Sequence, residues 1–174
     1  MRRLLAAAAL TAAACQCAVA APEAASADGR WRVAGQGAGV VVFDNGQPVK
    51  TLPARSLQGR EDAQVRSVRF LPARRSFVIA FDDTLRELWE LSVDSDAPAI
   101  YDGLVHDWRL REAIPSPGFL GVRRTPLEAP VRSIAADERG SAYVLVQTPD
   151  AWLLVNLDVR RAIARYAEPL QAGR

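Results

Sequence analysis

The sequence has 174 residues, with 22 basic and 20 acidic side chains, one histidine and two cysteines. At about 150 residues per domain this predicts a single domain, and a composition that is 49% hydrophobic and 24% charged is that of a globular protein. The charges are interspersed without a basic block, which argues against nucleic-acid binding. Both cysteines, Cys15 and Cys17, lie near the N-terminus, so we expect neither a disulfide framework nor a Cys/His zinc site in the body of the chain.

The first 20 residues have the pattern of a secretory signal peptide. Arg2 and Arg3 give a positive start, an apolar run covers 4–14, and 18–20 reads Ala-Val-Ala, which is the small-x-small pattern of a cleavage site. A second such pattern, Ala-Ser-Ala at 25–27, leaves the cut position open. The run is shorter than the roughly 20 residues of a membrane-spanning helix. We therefore expect a signal peptide over 1–20, a flexible linker over 21–30, no stable membrane span, and a periplasmic or secreted mature protein.

An internal repeat organises the rest of the chain. Val-Arg-Ser-Val at 65–68 recurs as Val-Arg-Ser-Ile at 131–134, and Phe-Val-Ile-Ala at 77–80 recurs as Tyr-Val-Leu-Val at 143–146. Near the end of the units Tyr101 aligns with Tyr166 after a slip of one residue. An ordered series of matches of this kind indicates two copies of one structural unit.

Each unit is predicted to contain four short strands separated by turns. The expected strands are 66–71, 76–81, 88–93 and 99–104 in the first unit, and 132–136, 142–147, 152–157 and 162–166 in the second. Because the segment 77–81 is apolar throughout, we expect it to be covered on both faces. Three further strands, at 31–34, 39–43 and 48–52, precede the repeat, and Asn45-Gly46 is a strong hairpin signal between the last two.

Four-stranded units covered on both faces indicate the blades of a propeller. The predicted fold class is all-β, with antiparallel four-stranded blade repeats in an incomplete propeller of about three blades over residues 31–174. Its parts are a partial blade at 31–52, a blade at 65–104, an inserted loop at 102–130 and a blade at 131–166. Since closed propellers have at least four blades, we expect a protein partner or a homodimer to complete the ring.

The inserted loop at 102–130 interrupts the repeat. Its prolines, at positions 115, 117, 126 and 130, exclude a long helix or a central strand. Loops inserted into a repeat scaffold commonly bind ligands. The alternative is a long connection in which Trp108 and Phe119 fill a gap between blades.

Several stretches resemble the d1-type β-propeller. They are Pro-Val-Lys-Thr-Leu-Pro at 48–53, Phe-Val-Ile-Ala-Phe at 77–81, Glu-Leu-Trp-Glu-Leu at 87–91 and Tyr-Asp-Gly-Leu-Val-His-Asp at 101–107. That fold is found in cytochrome cd1 nitrite reductases and in the proteins that assemble haem d1. The resemblance is diffuse and covers residues 40–125. It implies a periplasmic propeller related to tetrapyrrole binding.

The candidate site residues all lie in or beside the inserted loop. His106 is the only imidazole, and so the only neutral nitrogen ligand for a haem iron. Arg109, Arg123 and Arg124 could bind carboxylates in bidentate fashion. The alternatives are a histidine that hydrogen-bonds to backbone at a strand end and arginines that are simply solvated.

We predict an exported, non-catalytic β-propeller-like binding protein that acts through its blade edges and the 102–130 loop and needs no cofactor. The alternative is a binding or assembly accessory protein for a haem d1-type tetrapyrrole, with His106 as iron ligand and Arg109, Arg123 or Arg124 on the carboxylates. No arrangement of nucleophile, base and oxyanion donors is legible, which disfavours an enzyme.

Overall fold

The computed structural model describes residues 21–57, 59, 62–101, 105–107, 112–113, 115–136 and 141–168. For 105–107, 112–113 and residue 136 the description is limited to the backbone. These residues form fourteen strands and one 3-10 helix, Pro72–Arg74. The strands are β1 (Glu23–Ala25), β2 (Trp31–Gln36), β3 (Gly39–Asp44), β4 (Gln47–Pro53), β5 (Val65–Leu71), β6 (Ser76–Phe81), β7 (Glu87–Ser92), β8 (Val105–Asp107), β9 (Glu112–Ala113), β10 (Val122–Pro126), β11 (Ser133–Ala136), β12 (Tyr143–Gln147), β13 (Trp152–Asn156) and β14 (Arg161–Tyr166).

Twelve of these strands make three antiparallel four-stranded sheets, with the orders β1-β2-β3-β4, β10-β7-β6-β5 and β11-β12-β13-β14. β5 contacts β1 and β2 of the first sheet, and β11 contacts β5 and β6 of the second. The first strands of the three sheets therefore lie side by side at an inner edge, while β4, β10 and β14 form outer edges. This is the all-β, blade-repeat architecture that the sequence predicts, and it amounts to three blades of a propeller.

The three sheets pack against one another through two hydrophobic cores. One lies between the first and second sheets and contains Trp31, Phe77, Phe81 and Trp89, and the other lies between the second and third. Every residue of β6 is buried, because its alternate side chains enter the two cores. The prediction that the segment 77–81 is covered on both faces is confirmed.

The hairpin between β3 and β4 follows from its sequence. Asn45 and Gly46 have φ angles of 48° and 80°, and both lie in the left-handed region that a tight two-residue hairpin requires. Asn and Gly accept this conformation at low cost. The turn sets the register that aligns Gln47 with Asp44.

Two edge strands differ from the sequence-based expectation. Residues 23–25, expected to be part of a flexible linker, form β1 and complete the first blade. The fourth strand of the second sheet is β10, within the predicted 102–130 loop. Of the predicted strand 99–104, residues 99–101 are not part of this sheet, and 102–104 lie outside the described residues. Tyr101 lies outside that sheet and is 65% exposed, so its alignment with Tyr166 of β14 was wrong. An edge strand is covered by only one neighbour, and the charged sequence of β10 therefore lacks the apolar alternation that marks a strand.

Within the residues that the structure describes, no helix is both long and apolar enough to cross a membrane.

Candidate functional site

The predicted site residues Arg123 and Arg124 are placed on opposite faces of the second sheet. Both belong to β10, where Arg123 is opposite Glu90 and Arg124 is opposite Trp89 in β7. Successive side chains of a strand point to opposite faces. The two guanidinium groups therefore cannot converge on one carboxylate.

Arg124 faces the first sheet and is already held by several contacts. Its Nη1 donates to the carbonyl oxygen of Arg55 at 2.7 Å and to Oε2 of Glu87 at 3.2 Å. The guanidinium lies 4.2 Å from the ring centroid of Trp89, whose Nε1 donates to the same Glu87 oxygen at 2.8 Å. These contacts give Arg124 a structural role that joins the second blade to the first.

Arg123 faces the third sheet, beside a buried ionic network. Its Nη1 is 4.0 Å from Oε2 of Glu90, which Arg74 binds with Nε and Nη2 at 2.7 and 3.2 Å. Ser76 Oγ donates to Glu90 at 3.0 Å, and Arg74 Nη1 donates to Asp158 of the third blade at 2.9 Å. Burial opposes the charge of Arg74, but the bonds to Glu90 and Asp158 outweigh it and raise the pKa of Arg74.

The other two predicted residues lie in the least described part of the chain. His106 is the middle residue of β8, which pairs with β9, and only its backbone is described. Arg109 lies outside the described residues. Ile100 and Ser116 lie before and after the segment that contains these two residues. They exchange two backbone hydrogen bonds of 2.8 Å, which hold the two ends of the segment together. The inserted part is thus a small two-stranded projection on a fixed base.

The segment that returns from this projection packs against both the second and the first blade. A Cβ on Gly118 would lie 2.2 Å from the carbonyl oxygens of Ala97 and Pro98, so only glycine fits there. Phe119 makes an edge contact with Trp31 at a centroid distance of 5.8 Å, and Lys50 Nζ donates to the carbonyl of Leu120 at 2.9 Å. Phe119 therefore fills a gap between blades, as one of the two interpretations of the loop predicts for it, although it stays 38% exposed. Trp108, the other residue of that interpretation, lies outside the described residues.

A cleft of about 260 Å³ opens at the same end of the blades. We call it the loop-end cleft. It is formed by the β1–β2 turn, the end of β5 with the 3-10 helix, and the residue after β7. Its lining residues are Ser26, Ala27, Asp28, Arg30, Trp31, Phe70, Pro72, Arg75 and Val93.

The loop-end cleft combines aromatic surface with charged groups at its rim. Trp31 is buried and Phe70 half-buried, whereas Arg30, Arg75 and Asp28 are exposed. The Arg30 guanidinium lies 5.0 Å from the Trp31 ring centroid and binds both oxygens of Asp44, at 2.8 and 2.9 Å. This arrangement offers a flat apolar group a surface to pack on and an anion two guanidinium groups to approach.

The carboxylate of Asp28 is held in its ionised form. Ser26 Oγ donates to Asp28 Oδ1 at 2.5 Å, and the backbone N–H of Arg30 donates to the same oxygen at 3.2 Å. These bonds lower the pKa of Asp28, with the Ser26 hydroxyl as the larger cause. They also fix the β1–β2 turn that forms one wall of the cleft.

Arg75 occupies a strained position on the opposite wall. It ends the 3-10 helix with φ 48° and ψ 47°, the left-handed conformation that glycine adopts most easily. Its Nη1 pairs with Asp94 Oδ1 at 3.0 Å in an exposed salt bridge. Strained non-glycine residues occur preferentially at functional sites, and such a bridge contributes only about 0–1 kcal/mol, so Arg75 is a candidate binding residue.

Sequence reasoning missed the loop-end cleft because its walls come from turns far apart in the chain. No motif links 26–31, 70–75 and 93, and an arginine in the left-handed conformation leaves no mark in the sequence. Asp82 and Asp94 are turn residues, since each accepts a hydrogen bond from the backbone N–H of the residue two positions later. In the described part of the chain no three His, Cys, Asp or Glu side chains are grouped so as to hold a metal ion.

No protein-family model matches the chain, and no curated protein matches it either. Its fold does match solved β-propellers. One is a dihydro-haem d1 dehydrogenase, NirN, solved in complex with DHE, which is 22% identical to this chain. The match covers 84% of this chain and 28% of NirN, with a TM-score of 0.63. The periplasmic gluconolactonase PpgL of Pseudomonas aeruginosa is 17% identical, with 82% and 37% covered and a TM-score of 0.57. The propeller domain of Cps50 (Swd1) from Myceliophteria thermophila is 11% identical, with 86% and 41% covered and a TM-score of 0.56.

These matches identify the fold as a β-propeller in a partial form of about three blades. The chain spans less than half the length of each of the three structures. The resemblance to the d1-type propeller is confirmed as a diffuse similarity of fold. At these identities the similarity shows the architecture and leaves the ligand to be argued from the residues.

Proposed function

We propose that this chain is a non-catalytic binding protein that takes its ligand at the loop end of the blades. The observation that carries the proposal is the loop-end cleft, where Trp31 meets Phe119 of the inserted segment and Arg75 is kept in a strained conformation. Binding surfaces on β scaffolds are commonly built from loops clustered at one end. The inserted segment contributes Phe119 beside this cleft, and action through the blade edges stays a separate prediction.

The residues of the cleft favour an anionic ligand with a flat apolar body. Phe70, which is half-buried, supplies most of the accessible aromatic surface beside the buried Trp31, and guanidinium groups such as that of Arg75 can pair with carboxylates in bidentate geometry. Arg75 has a single exposed contact with Asp94, whereas Arg30 is held by both carboxylate oxygens of Asp44. A single exposed salt bridge is weak enough for a ligand carboxylate to compete with it, so Arg75 is the main anion-binding group of the proposal.

Titration with 2-naphthoate, an aromatic carboxylate, tests this proposal. We expect saturable binding that weakens at least tenfold in Arg75→Gly, because the variant loses a guanidinium while relieving the strained backbone. Arg66→Ala is the matched control, since Arg66 makes an exposed salt bridge with Asp83 at the other end of β5. Neutral 2-naphthamide should bind more weakly than the acid. Equal binding of acid and amide, or equal loss in both variants, would contradict the proposal.

Export is a second part of the proposal. The signal pattern at 1–20 supports it, and the position of β1 favours the first of the two cleavage sites. Cleavage after residue 20 leaves β1 intact, whereas cleavage after residue 27 removes Glu23–Ala25 and its pairing with β2. The mature chain would then begin at Ala21, with 20 basic and 20 acidic side chains, and act in the periplasm or outside the cell.

A tetrapyrrole ligand is the second candidate function. NirN, whose structure was solved with DHE, is a neighbour in fold. Of the three arginines proposed for the carboxylates, Arg124 does not fit, because Glu87 and Trp89 already engage it, whereas Arg123 is half-buried and loosely paired. The candidate therefore depends on His106 with Arg123 or Arg109. An optical titration with haem b tests it: a saturable shift that is lost in His106→Ala would support it, and the absence of a shift would reject it.

Completion of the ring by a protein partner or by a second copy is a further proposal. The three sheets seen in the described residues are fewer than the four blades of the smallest closed propellers. Sheet faces and edges left without a neighbour favour association. Its test is the mass of the protein in solution.

A further inference from the structure

A second cavity, of about 400 Å³, lies between the outer parts of the second and third blades. We call it the outer groove. One wall is formed by Pro126 at the end of β10 with the next two residues, and the other by β14, so the groove is distant in the fold from the β1–β2 turn of the loop-end cleft. Its lining residues are Pro126, Leu127, Glu128, Leu153, Arg161, Ala162, Ile163, Ala164 and Arg165.

The groove runs along the edge of β14. Five consecutive residues, 161–165, line it, whereas a cavity over one face of a strand touches every second residue. The pairing with β13 shifts between Leu154 and Val155, so β14 has one extra residue at that point. Such an irregularity can place two consecutive side chains on the same face of the strand, but it cannot place five there. In the described part of the chain β14 pairs with β13 alone, so its other edge is open to a further strand.

The lining of the groove has a definite chemical character. Ile163 is 45% exposed, and Leu127 and Leu153 provide apolar surface below it. Arg161 and Arg165 flank this surface, and neither side chain has an ion pair or hydrogen bond within the described residues. The third cation of this strand region, Arg160, does have a partner and takes no part in the inference.

We propose that the outer groove binds an extended acidic peptide segment of a partner protein by strand addition to β14. The peptide backbone pairs with the open edge, apolar side chains contact Ile163 and Leu153, and carboxylates contact Arg161 and Arg165. Strand addition takes its affinity from main-chain hydrogen bonds and its specificity from alternate side chains. This extends the proposed function at the blade edges, and it is independent of the loop-end cleft.

The competing explanation is that the arginines protect the edge. Charged residues on an edge strand prevent unwanted pairing between sheets. The two explanations predict different behaviour when the charges are reversed. If the edge of β14 binds an acidic peptide, reversing the charges lowers its affinity for that peptide. If the arginines only protect the edge, the unmodified protein does not bind the acidic peptide in the first place.

The test uses the hexapeptide acetyl-(Val-Glu)3-amide, with acetyl-(Val-Lys)3-amide as the charge control and a version of the acidic peptide that is N-methylated at alternate residues. We expect the mature protein to bind the acidic peptide with an affinity that falls as salt rises. The Arg161→Glu/Arg165→Glu double variant should bind it at least tenfold more weakly, and Arg69→Glu, an exposed arginine of β5 without a partner in the described residues, should bind it unchanged.

Three results would overturn the proposal: no binding of the acidic peptide by the unmodified protein, equal binding of the lysine peptide, or full binding of the N-methylated peptide. The last comparison needs no variant, so the test does not depend on how well the double variant folds. Binding of 2-naphthoate by the double variant separates a failure of the groove from a failure of the loop-end cleft, since the proposal predicts it to be unchanged.

Discussion

Arg74 Nε lies 2.7 Å from Glu90 Oε1 in the space between the second and third blades, where Glu90 is only 5% exposed. Arg74 reaches Glu90 within its own blade and Asp158 in the next one, so one guanidinium links two sheets. Arg74→Ala would leave the Glu90 carboxylate buried without its main partner. We expect a loss of about 3 kcal/mol in the free energy of unfolding, measured by chemical denaturation.

The control for this prediction is Arg132→Ala. Arg132 makes an exposed salt bridge with Asp83, which Arg66 also binds, so its loss should cost less than about 1 kcal/mol. Equal losses in the two variants would show that the Arg74–Glu90 pair adds nothing beyond a surface salt bridge.

Gly118 holds the base of the inserted projection against the segment 97–98. In Gly118→Ala the new methyl group would meet two carbonyl oxygens at 2.2 Å, and because these are backbone atoms the segment must move. We expect a loss of about 2–3 kcal/mol. Gly37→Ala is the control, since it has open space around it and a φ of 55°, and should cost about 1 kcal/mol. A melting temperature of Gly118→Ala at or above that of the control would contradict this packing.

The stability of the protein should depend on pH through Asp28 and Asp44. Both carboxylates have a pKa lowered from the usual aspartate value by hydrogen bonds, from Ser26 and the Arg30 backbone for Asp28, and from the Arg30 side chain for Asp44. A lowered folded-state pKa adds stability that is complete above the ordinary value of 3.8 and is lost as the pH falls through the folded-state value. We therefore expect the melting temperature to fall below pH 4, and to fall less in Asp28→Asn.

The mature N-terminus should be Ala21. Mass spectrometry of the protein secreted by a bacterial host tests this directly. A start at residue 28 would remove β1, and with it the Ser26–Asp28 hydrogen bond and the wall of the loop-end cleft. Retention of the segment 1–20 on the protein would contradict export by signal-peptide cleavage.

Association to complete the ring predicts a mass in solution of twice that of the monomer. Light scattering of the mature protein at micromolar concentration measures it. A monomer across that range would reject the homodimer.

The sequence predicted ten of the twelve strands of the three sheets and missed two edge strands, β1 and β10, for one physical reason. β6 lies between two other strands and two cores, and β12 lies between two other strands and borders one core. Their apolar composition is therefore strongly constrained, and the 66-residue repeat is strongest there. β1 and β10 each have one neighbouring strand, and β10 contacts it through Arg123 and Arg124. Edge strands tolerate charged residues and proline, so neither β1 nor β10 has the apolar pattern by which a strand is recognised in a sequence.

The candidate site was less predictable than the fold. The sequence directed attention to cationic residues of the inserted loop, but whether an arginine is free depends on which face of a strand it occupies. Arg124 is engaged because Trp89 and Glu87 lie opposite it, a relation set by the pairing of β10 with β7. The aromatic floor of the loop-end cleft likewise arises from the approach of two blades, which no local pattern records.

The most direct test of the central proposal is a map of amide chemical-shift changes on adding 2-naphthoate to the isotope-labelled mature protein. We predict that the largest changes fall in 26–31, 70–75 and 119, the residues in and next to the loop-end cleft, and that they disappear in Arg75→Gly. Changes scattered over the surface, or centred on the outer groove at 161–165, would contradict a binding site at the loop end of the blades.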